Sequence, residues 1–204
     1  MIRFYKEGAM MELLFLEPIF KERIWGGKKL NTLFDYPIEN DHIGECWAIS
    51  AHDNGANKIL NGPYKGMMLN DLYKKYKAEL FNNDKSEKFP ILIKLLDASD
   101  DLSIQVHPDD AYGLQHENDF GKTECWYVID AEKDSIIIDG HYATTKEEFI
   151  EKIKTNDLSL WKKRTIKKDD FISVPAKKVH AIGKGAFIYE VQQSSDTTYR
   201  IYDY

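Results

Sequence analysis

The sequence has little cysteine, and its two cysteines are far apart. Cys46 and Cys125 form no Cys-x-x-Cys pair, so neither a disulfide framework nor a zinc ribbon is indicated. We expect both thiols to be reduced and buried on strands, as is typical of a cytoplasmic protein.

An excess of basic charge is also absent. The 204 residues include 28 Lys and Arg against 34 Asp and Glu, a net charge of −6, which is not the footprint of a nucleic-acid-binding protein. No apolar run approaches the roughly 20 residues that cross a bilayer. The N-terminus lacks the apolar core of a signal peptide. We expect a cytoplasmic protein with neither nucleic-acid nor membrane partners.

Strand-like patterns dominate the rest of the chain. Residues 91–96 are nearly all apolar, and residues 102–106 alternate with period two. Helices are predicted at 69–81 and at about 109–116. A third is predicted at 145–154, where Thr145 and Glu148 resemble a capping box and Phe149, Ile150 and Ile153 form the inner face. Short strands with few helices favour an antiparallel sandwich or barrel with inserted helices.

Several polar and aromatic residues are interpreted as structural. The basic run at 161–168 is predicted to be a solvated surface. Gly44-Glu45-Cys46-Trp47 has a short echo in Thr123-Glu124-Cys125-Trp126, and both tryptophans are expected to fill the core or a sugar-contacting wall. Four histidines are placed on the surface or in loops: His42, His52, His116 and His141.

A candidate metal site emerges from strand alternation. Ser103, Gln105 and His107 share one strand face, with Leu102, Ile104 and Val106 on the other. On a later strand Glu124 shares a face with Trp126 and Val128, and His180 lies on a strand predicted to begin near Val179, after the turn at Pro175. Two imidazoles and a carboxylate suit a catalytic divalent metal, zinc above all. A satisfied structural histidine at each position is the alternative.

Four separated blocks resemble the type I mannose-6-phosphate isomerases, in that family's order. The resemblance also takes in Trp25-Gly26-Gly27 and Gly44-Glu45-Cys46-Trp47, and so runs from Met11 to the end of the sequence. The blocks are Leu102 to Asp110, Gly121 to Tyr127, Val174 to Gly183 and Ser195 to Tyr204.

This resemblance implies a mainly β, cupin-type antiparallel sandwich or barrel (a jelly roll) that holds one zinc ion. Residues 11–204 would form the catalytic cupin domain, after an N-terminal extension at 1–10. The implied metal ligands are Gln105, His107, Glu124 and His180. The implied catalytic residue is Arg200, and the implied substrate-binding residues are Lys94, Ser103 and Lys122.

Two departures from the family stand out. Lys177 occupies a turn position where the family has glycine, which adopts a left-handed backbone more easily than lysine does. The family also continues past the arginine block into a second cupin-like unit, whereas this sequence stops at Tyr204. We therefore expect the C-terminal unit to be absent.

The function implied is zinc-dependent interconversion of mannose 6-phosphate and fructose 6-phosphate through an enediol-type intermediate. The partner would be a small sugar phosphate, and the protein a monomer or weak homodimer. A truncated, non-catalytic sugar- or metal-binding module is the alternative. A cupin oxygenase that uses iron fits the fold, but it fits neither Gln105 nor the block around Arg200.

Overall fold

The computed structural model describes residues 3–6, 9–38 and 40–204. Of the predicted extension at 1–10, residues 1, 2, 7 and 8 lie outside the described residues, and the remainder belongs to a hairpin of β1 and β2. The strands are β1 Arg3–Lys6, β2 Ala9–Glu12, β3 Ile19–Gly27, β4 Ile43–Ile49, β5 Ala51–His52, β6 Gly55–Ala56, β7 Ile91–Asp97, β8 Ile104–Val106, β9 Glu124–Ala131, β10 Ile136–His141, β11 Trp161–Thr165, β12 Phe171–Val174, β13 His180–Ile182, β14 Ala186–Gln193 and β15 Tyr199–Tyr202. The α-helices are α1 Lys29–Phe34, α2 Leu69–Lys75, α3 Lys77–Leu80, α4 Asp110–His116 and α5 Lys146–Lys154.

Two antiparallel sheets form the body of the fold. One has six strands in the order β12-β9-β14-β7-β4-β3, and the other has five in the order β11-β10-β13-β8-β15. Neighbouring strands within each sheet run antiparallel. The predicted antiparallel β architecture is confirmed.

The main core lies between the two sheets, because alternate residues of each strand point inward. Trp126, Val128 and Ile188 of the six-stranded sheet belong to the same buried cluster as Ile137 and Ile182 of the five-stranded sheet. The face predicted for Glu124, Trp126 and Val128 is therefore buried, as expected.

Helices cover the outer faces of both sheets. Phe149 and Ile153 of α5 pack on a cluster around Ile104 and Trp161, while Leu30 of α1 joins a cluster on the outer face of the six-stranded sheet. The Thr145 side chain accepts a hydrogen bond from the Glu148 backbone N–H at 3.1 Å, so the predicted cap is confirmed.

The structure corrects several local predictions. Helix 69–81 is two helices, because the chain leaves helical geometry at Tyr76. Ile150 is 40% exposed and does not join the inner face of α5. Leu102 lies outside the short strand β8 and joins the inter-sheet core, whereas Ile104 packs under α5.

The basic run at 161–168 is solvated as predicted, but its first half is a strand. Lys162, Lys163 and Arg164 are exposed on β11, at the edge of the five-stranded sheet. Charged side chains on an edge strand discourage pairing with another chain. Among the described residues, no helix has the length and apolar character needed to span a membrane.

Candidate metal centre and active-site cavity

Three buried side chains converge between the sheets. His107 follows β8, Glu124 begins β9 and His180 begins β13, and one potential ligand atom from each lies within 4.8 Å of the others. The Nε2 atoms of His107 and His180 are 3.1 Å apart, and each is 3.4 Å from a carboxylate oxygen of Glu124. The predicted set of two imidazoles and one carboxylate is therefore brought together.

Backbone carbonyls fix the tautomer of both imidazoles. His107 Nδ1 lies 3.0 Å from the Thr197 carbonyl and His180 Nδ1 lies 2.8 Å from the Lys178 carbonyl. Since a carbonyl only accepts, each Nδ1 carries the proton and each Nε2 presents a lone pair to the centre. Burial, helped by Lys122, lowers the pKa of His107 to about 4. Burial also lowers the pKa of His180, so both rings are neutral at pH 7.

Glu124 supplies the negative charge of the centre. Its Oε1 accepts a hydrogen bond from Trp126 Nε1 at 3.1 Å, whereas its Oε2 is buried and accepts none. Burial alone would raise the pKa of Glu124, but the Lys122 ammonium is the largest of the opposing influences that hold this pKa well below its ordinary value.

These three groups fit a divalent cation. Two facing lone pairs and a carboxylate oxygen that accepts no hydrogen bond repel one another, and the Lys122 ammonium lies 3.6 Å from that oxygen, beyond hydrogen-bond distance. Neutral imidazole and carboxylate are ligands that zinc accepts in tetrahedral sites.

Gln105, the fourth predicted ligand, lies on the side of the centre that faces solvent. Its Nε2 is 3.4 Å from His180 Nε2, and its Oε1 accepts a hydrogen bond from Ser103 Oγ at 3.3 Å. A half-turn of the amide would present the oxygen to the centre, since the two ends of a glutamine amide have the same shape. The backbone of Arg200 is in register with Gln105 across β15 and β8.

A cavity of about 360 Å³ opens beside the centre. All the predicted polar residues outside the buried trio lie in its wall. The residues lining it are Arg23, Trp25, Glu45, Lys94, Leu96, Leu102, Ser103, Gln105, Lys122, Ile182, Glu190, Asp196, Thr198 and Arg200. The roles assigned to them from the resemblance remain predictions.

Two buried carboxylates in this wall, Glu45 and Glu190, were not anticipated from the sequence. They flank Lys94, whose Nζ is 3.7 Å from Glu45 Oε2 and 3.5 Å from Glu190 Oε2. Burial alone would lower the pKa of Lys94, but Glu190 and Glu45 outweigh it and raise that pKa. Lys94 is therefore a fixed cation within a buried network.

The two carboxylates differ in basicity. Burial raises the pKa of Glu190, and the nearby Glu124 charge raises it further. Burial opposes ionisation of Glu45 as well, but Lys94, Arg23 and the Trp47 indole lower its pKa to about 2. Glu190 is therefore the stronger base of the pair.

The sequence carried a signal for each carboxylate. The echo noted above is structural: Trp47 Nε1 donates to Glu45 Oε2 at 2.7 Å, as Trp126 Nε1 donates to Glu124 Oε1. Glu190 shares the inner face of β14 with Ala186 and Ile188, where a charged residue is out of place unless it is functional or paired.

The turn before His180 has the left-handed backbone expected from the glycine of the family. Lys177 has φ +70°, and its backbone N–H donates to the His107 carbonyl at 2.8 Å. Its ammonium pairs with Asp109. The turn therefore keeps its shape with lysine and links two predicted metal ligands.

Comparison with known proteins decides the family. Residues 13–138 match the model of the type I phosphomannose isomerase catalytic domain. The chain belongs to the type I phosphomannose isomerases. The mannose-6-phosphate isomerase of Streptococcus mutans is 53% identical over 196 residues, which are 96% of this chain and 62% of that protein. The mannose-6-phosphate isomerase ManA of Bacillus subtilis is 51% identical over 195 residues, 95% and 61% of the two chains.

Solved structures of phosphomannose isomerases agree with this fold. The crystal structure of the Bacillus subtilis mannose 6-phosphate isomerase matches with a TM-score of 0.92 and 48% identity, covering 94% of this chain and 61% of that one. The predicted cupin fold is confirmed. The chain thus spans 61–62% of the length of these curated relatives.

Proposed function

We propose that this protein is a zinc-dependent isomerase that interconverts mannose 6-phosphate and fructose 6-phosphate. The observation that carries the proposal is the orphaned Glu124 Oε2, buried against two neutral imidazoles beside a cation-lined cavity. Membership in the type I phosphomannose isomerases and the names of the relatives support the substrate.

His107, Glu124 and His180 would hold the metal, with Gln105 as a fourth ligand from the cavity side. A bound zinc ion supplies Lewis acidity, which favours negative charge on a substrate oxygen. Ser103 orients Gln105 through its hydroxyl. Trp126 holds Glu124 Oε1, so that Oε2 stays directed at the centre.

Arg200 is the cation best suited to the phosphate group. Lys94 is neutralised by two carboxylates, and Lys122 lies 3.6 Å from Glu124. Arg200 instead has an exposed side chain, which forms an ion pair with Asp203 at 3.7 Å on the surface. A planar guanidinium at the edge of the cavity can bind phosphate with two parallel hydrogen bonds.

Glu190 is proposed as the base that moves the proton. Its Oε2 takes the proton from carbon 2 of the aldose and returns it to carbon 1, while the proton on oxygen 2 is transferred to oxygen 1. Its raised pKa suits proton transfer near neutral pH better than the depressed pKa of Glu45 does. Lys94, 3.5 Å away, fixes the carboxylate in place.

The test is a coupled assay of mannose 6-phosphate conversion by the purified chain, before and after chelation and with zinc added back. We expect chelation to abolish turnover and zinc to restore it. His107→Ala and Glu124→Ala should lose zinc and activity together, while His42→Ala, at an exposed histidine, should keep both.

Two outcomes would refute the proposal. Full turnover by a metal-free variant would remove the metal from the mechanism. A folded, zinc-loaded chain without turnover would favour the alternative, a non-catalytic binding module. The family assignment would stand in either case.

A further inference from the structure

The loop between β14 and β15, residues 194–198, joins the cavity to the metal centre. Asp196 and Thr198 line the cavity. Between them, the Thr197 carbonyl accepts the hydrogen bond from His107 Nδ1. The position of this loop therefore fixes the tautomer and the ring orientation of a predicted metal ligand.

Asp119 holds the loop from outside the cavity. Its Oδ2 accepts hydrogen bonds from Ser195 Oγ at 3.0 Å, from the Asp196 backbone N–H at 3.3 Å and from Thr197 Oγ1 at 3.5 Å. Ser195 Oγ in turn accepts from the Thr197 backbone N–H at 3.2 Å. A continuous path of hydrogen bonds thus runs from Asp119 through Ser195 and Thr197 to His107.

The surroundings of Asp119 keep its carboxylate in place. Its side chain is 13% exposed, and His52 Nε2 lies 3.6 Å from Oδ2. His52 Nδ1 accepts from the Asn54 backbone N–H, so Nε2 carries the proton and points it at the carboxylate. The sequence interpretation of His52 as a surface or loop residue is therefore wrong, because His52 lies on β5 with a side chain only 10% exposed.

Gln192 restrains the same loop from the inner side. Its Nε2 donates to the Ser195 carbonyl at 2.6 Å, and Ser195 is completely buried. Ser195 is thus held by the Gln192 amide on one side and by the Asp119 carboxylate on the other.

We propose that Asp119 is a positioning residue for the metal centre. It holds loop 194–198 so that the Thr197 carbonyl directs His107 Nε2 at the metal. The inference rests on the proposed metal site and adds a residue that touches neither the metal ligands nor the cavity. Loss of a group hydrogen-bonded directly to a metal ligand typically weakens metal binding about 10- to 100-fold, and Asp119 holds the loop that carries such a group.

The test measures metal binding by the full chain without turnover. The zinc dissociation constant is obtained by competition with a chelator, and the visible absorption spectrum of the cobalt(II)-loaded protein reports ligand geometry. We expect Asp119→Ala to weaken zinc binding about 10-fold, the lower end of that range, and to change the cobalt spectrum. Asp119→Asn, which keeps an acceptor oxygen for Ser195, should weaken binding less. Asp71→Ala, at an exposed position on α2, is the control and should leave both readouts unchanged.

A loss of stability alone would not reproduce this pattern, because it would not alter the cobalt spectrum of the folded protein. Ser195→Ala removes the hydroxyl that links Asp119 to the Thr197 backbone. It serves as the second variant if Asp119→Ala does not fold. Wild-type affinity and spectrum in the folded Asp119 variants, or in Ser195→Ala where those do not fold, would overturn the proposal. A wild-type chain that bound neither ion would overturn the metal site as well, so the two failures are distinguishable.

Discussion

Replacing Lys94 by methionine tests the buried charge network most directly. The ammonium lies between Glu45 and Glu190, and its residue is only 5% exposed. Methionine keeps the length and apolar stem of the side chain but leaves two buried carboxylates facing each other. Breaking a buried ion pair by removing one partner typically costs about 3–5 kcal/mol, and we expect a loss of that size in the free energy of unfolding at pH 8.

The loss should depend on pH in a defined direction. Without the ammonium, the pKa of Glu190 in the folded state rises further above its unfolded value, so the folded protein binds a proton that the unfolded chain does not. Stability of the variant therefore falls as pH rises through this range and recovers on acidification. The double variant with Glu190→Gln should regain part of the loss, since it removes the carboxylate that Lys94 no longer neutralises, whereas Glu45 keeps its ion pair with Arg23.

The assay is urea unfolding with a chelator present, for wild type, the two single variants and the double variant, at pH 5.5 and pH 8. Wild type measured at both pH values corrects for every pH effect that does not depend on Lys94. The prediction would be refuted if Lys94→Met lowered the free energy of unfolding by less than about 1 kcal/mol, as for an exposed ion pair, and if the stability of the variant did not recover at pH 5.5.

Three further changes test other parts of the structure. Glu45→Gln should lower the free energy of unfolding by about 3 kcal/mol at pH 7, because the Glu45 pKa of about 2 in the folded state lies below the unfolded value near 4.5. In urea unfolding, the difference in stability between wild type and this variant should shrink as pH falls from 4.5 towards 2. A difference that does not change with pH would contradict this prediction. Lys177→Gly should leave the stability unchanged or raise it by up to about 1 kcal/mol. A left-handed backbone costs a residue other than glycine about 1–2 kcal/mol, which exceeds the free energy lost through the greater conformational entropy of glycine in the unfolded chain. Lys177→Ala keeps that backbone strain and should therefore have a lower melting temperature than Lys177→Gly. Arg200→Lys should raise KM for mannose 6-phosphate about tenfold or more, from the loss of charge-assisted hydrogen bonds worth about 1.5–3 kcal/mol; a fall in kcat at unchanged KM would assign Arg200 to the reacting centre instead.

Local signals in the sequence predicted the elements that local chemistry determines. The cap of α5 was predictable because Thr145 and Glu148 interact within one turn. The long strand β3 was missed because its charged residues, such as Lys21 and Arg23, follow no simple alternation at the edge of the sheet. The break at Tyr76 was missed because apolar spacing continues through it.

In the candidate site too, some features follow from local sequence patterns and others depend on contacts between distant parts of the chain. The convergence of His107, Glu124 and His180 could be predicted from strand faces and motif blocks, because each of the three stands on a strand or at its end. The hydrogen bonds of Asp119 could not be predicted, because they reach residues 76 to 78 positions away in the chain. Such contacts depend on how two loops pack, and no local pattern encodes that.

The two Glu-x-Trp pairs on β4 and β9 have a consequence for the choice of fold. In each pair the carboxylate and the indole share a face only because they are two residues apart. If β4 slipped by one residue, Glu45 and Trp47 would turn together into the apolar cluster under α1, where a carboxylate would have no partner. A slip of β9 would expose Trp126 and remove Glu124 from the centre. These pairs therefore favour the correct strand register, because they destabilise shifted alignments. This holds even where a buried charge adds little to the stability of the correctly aligned sheet.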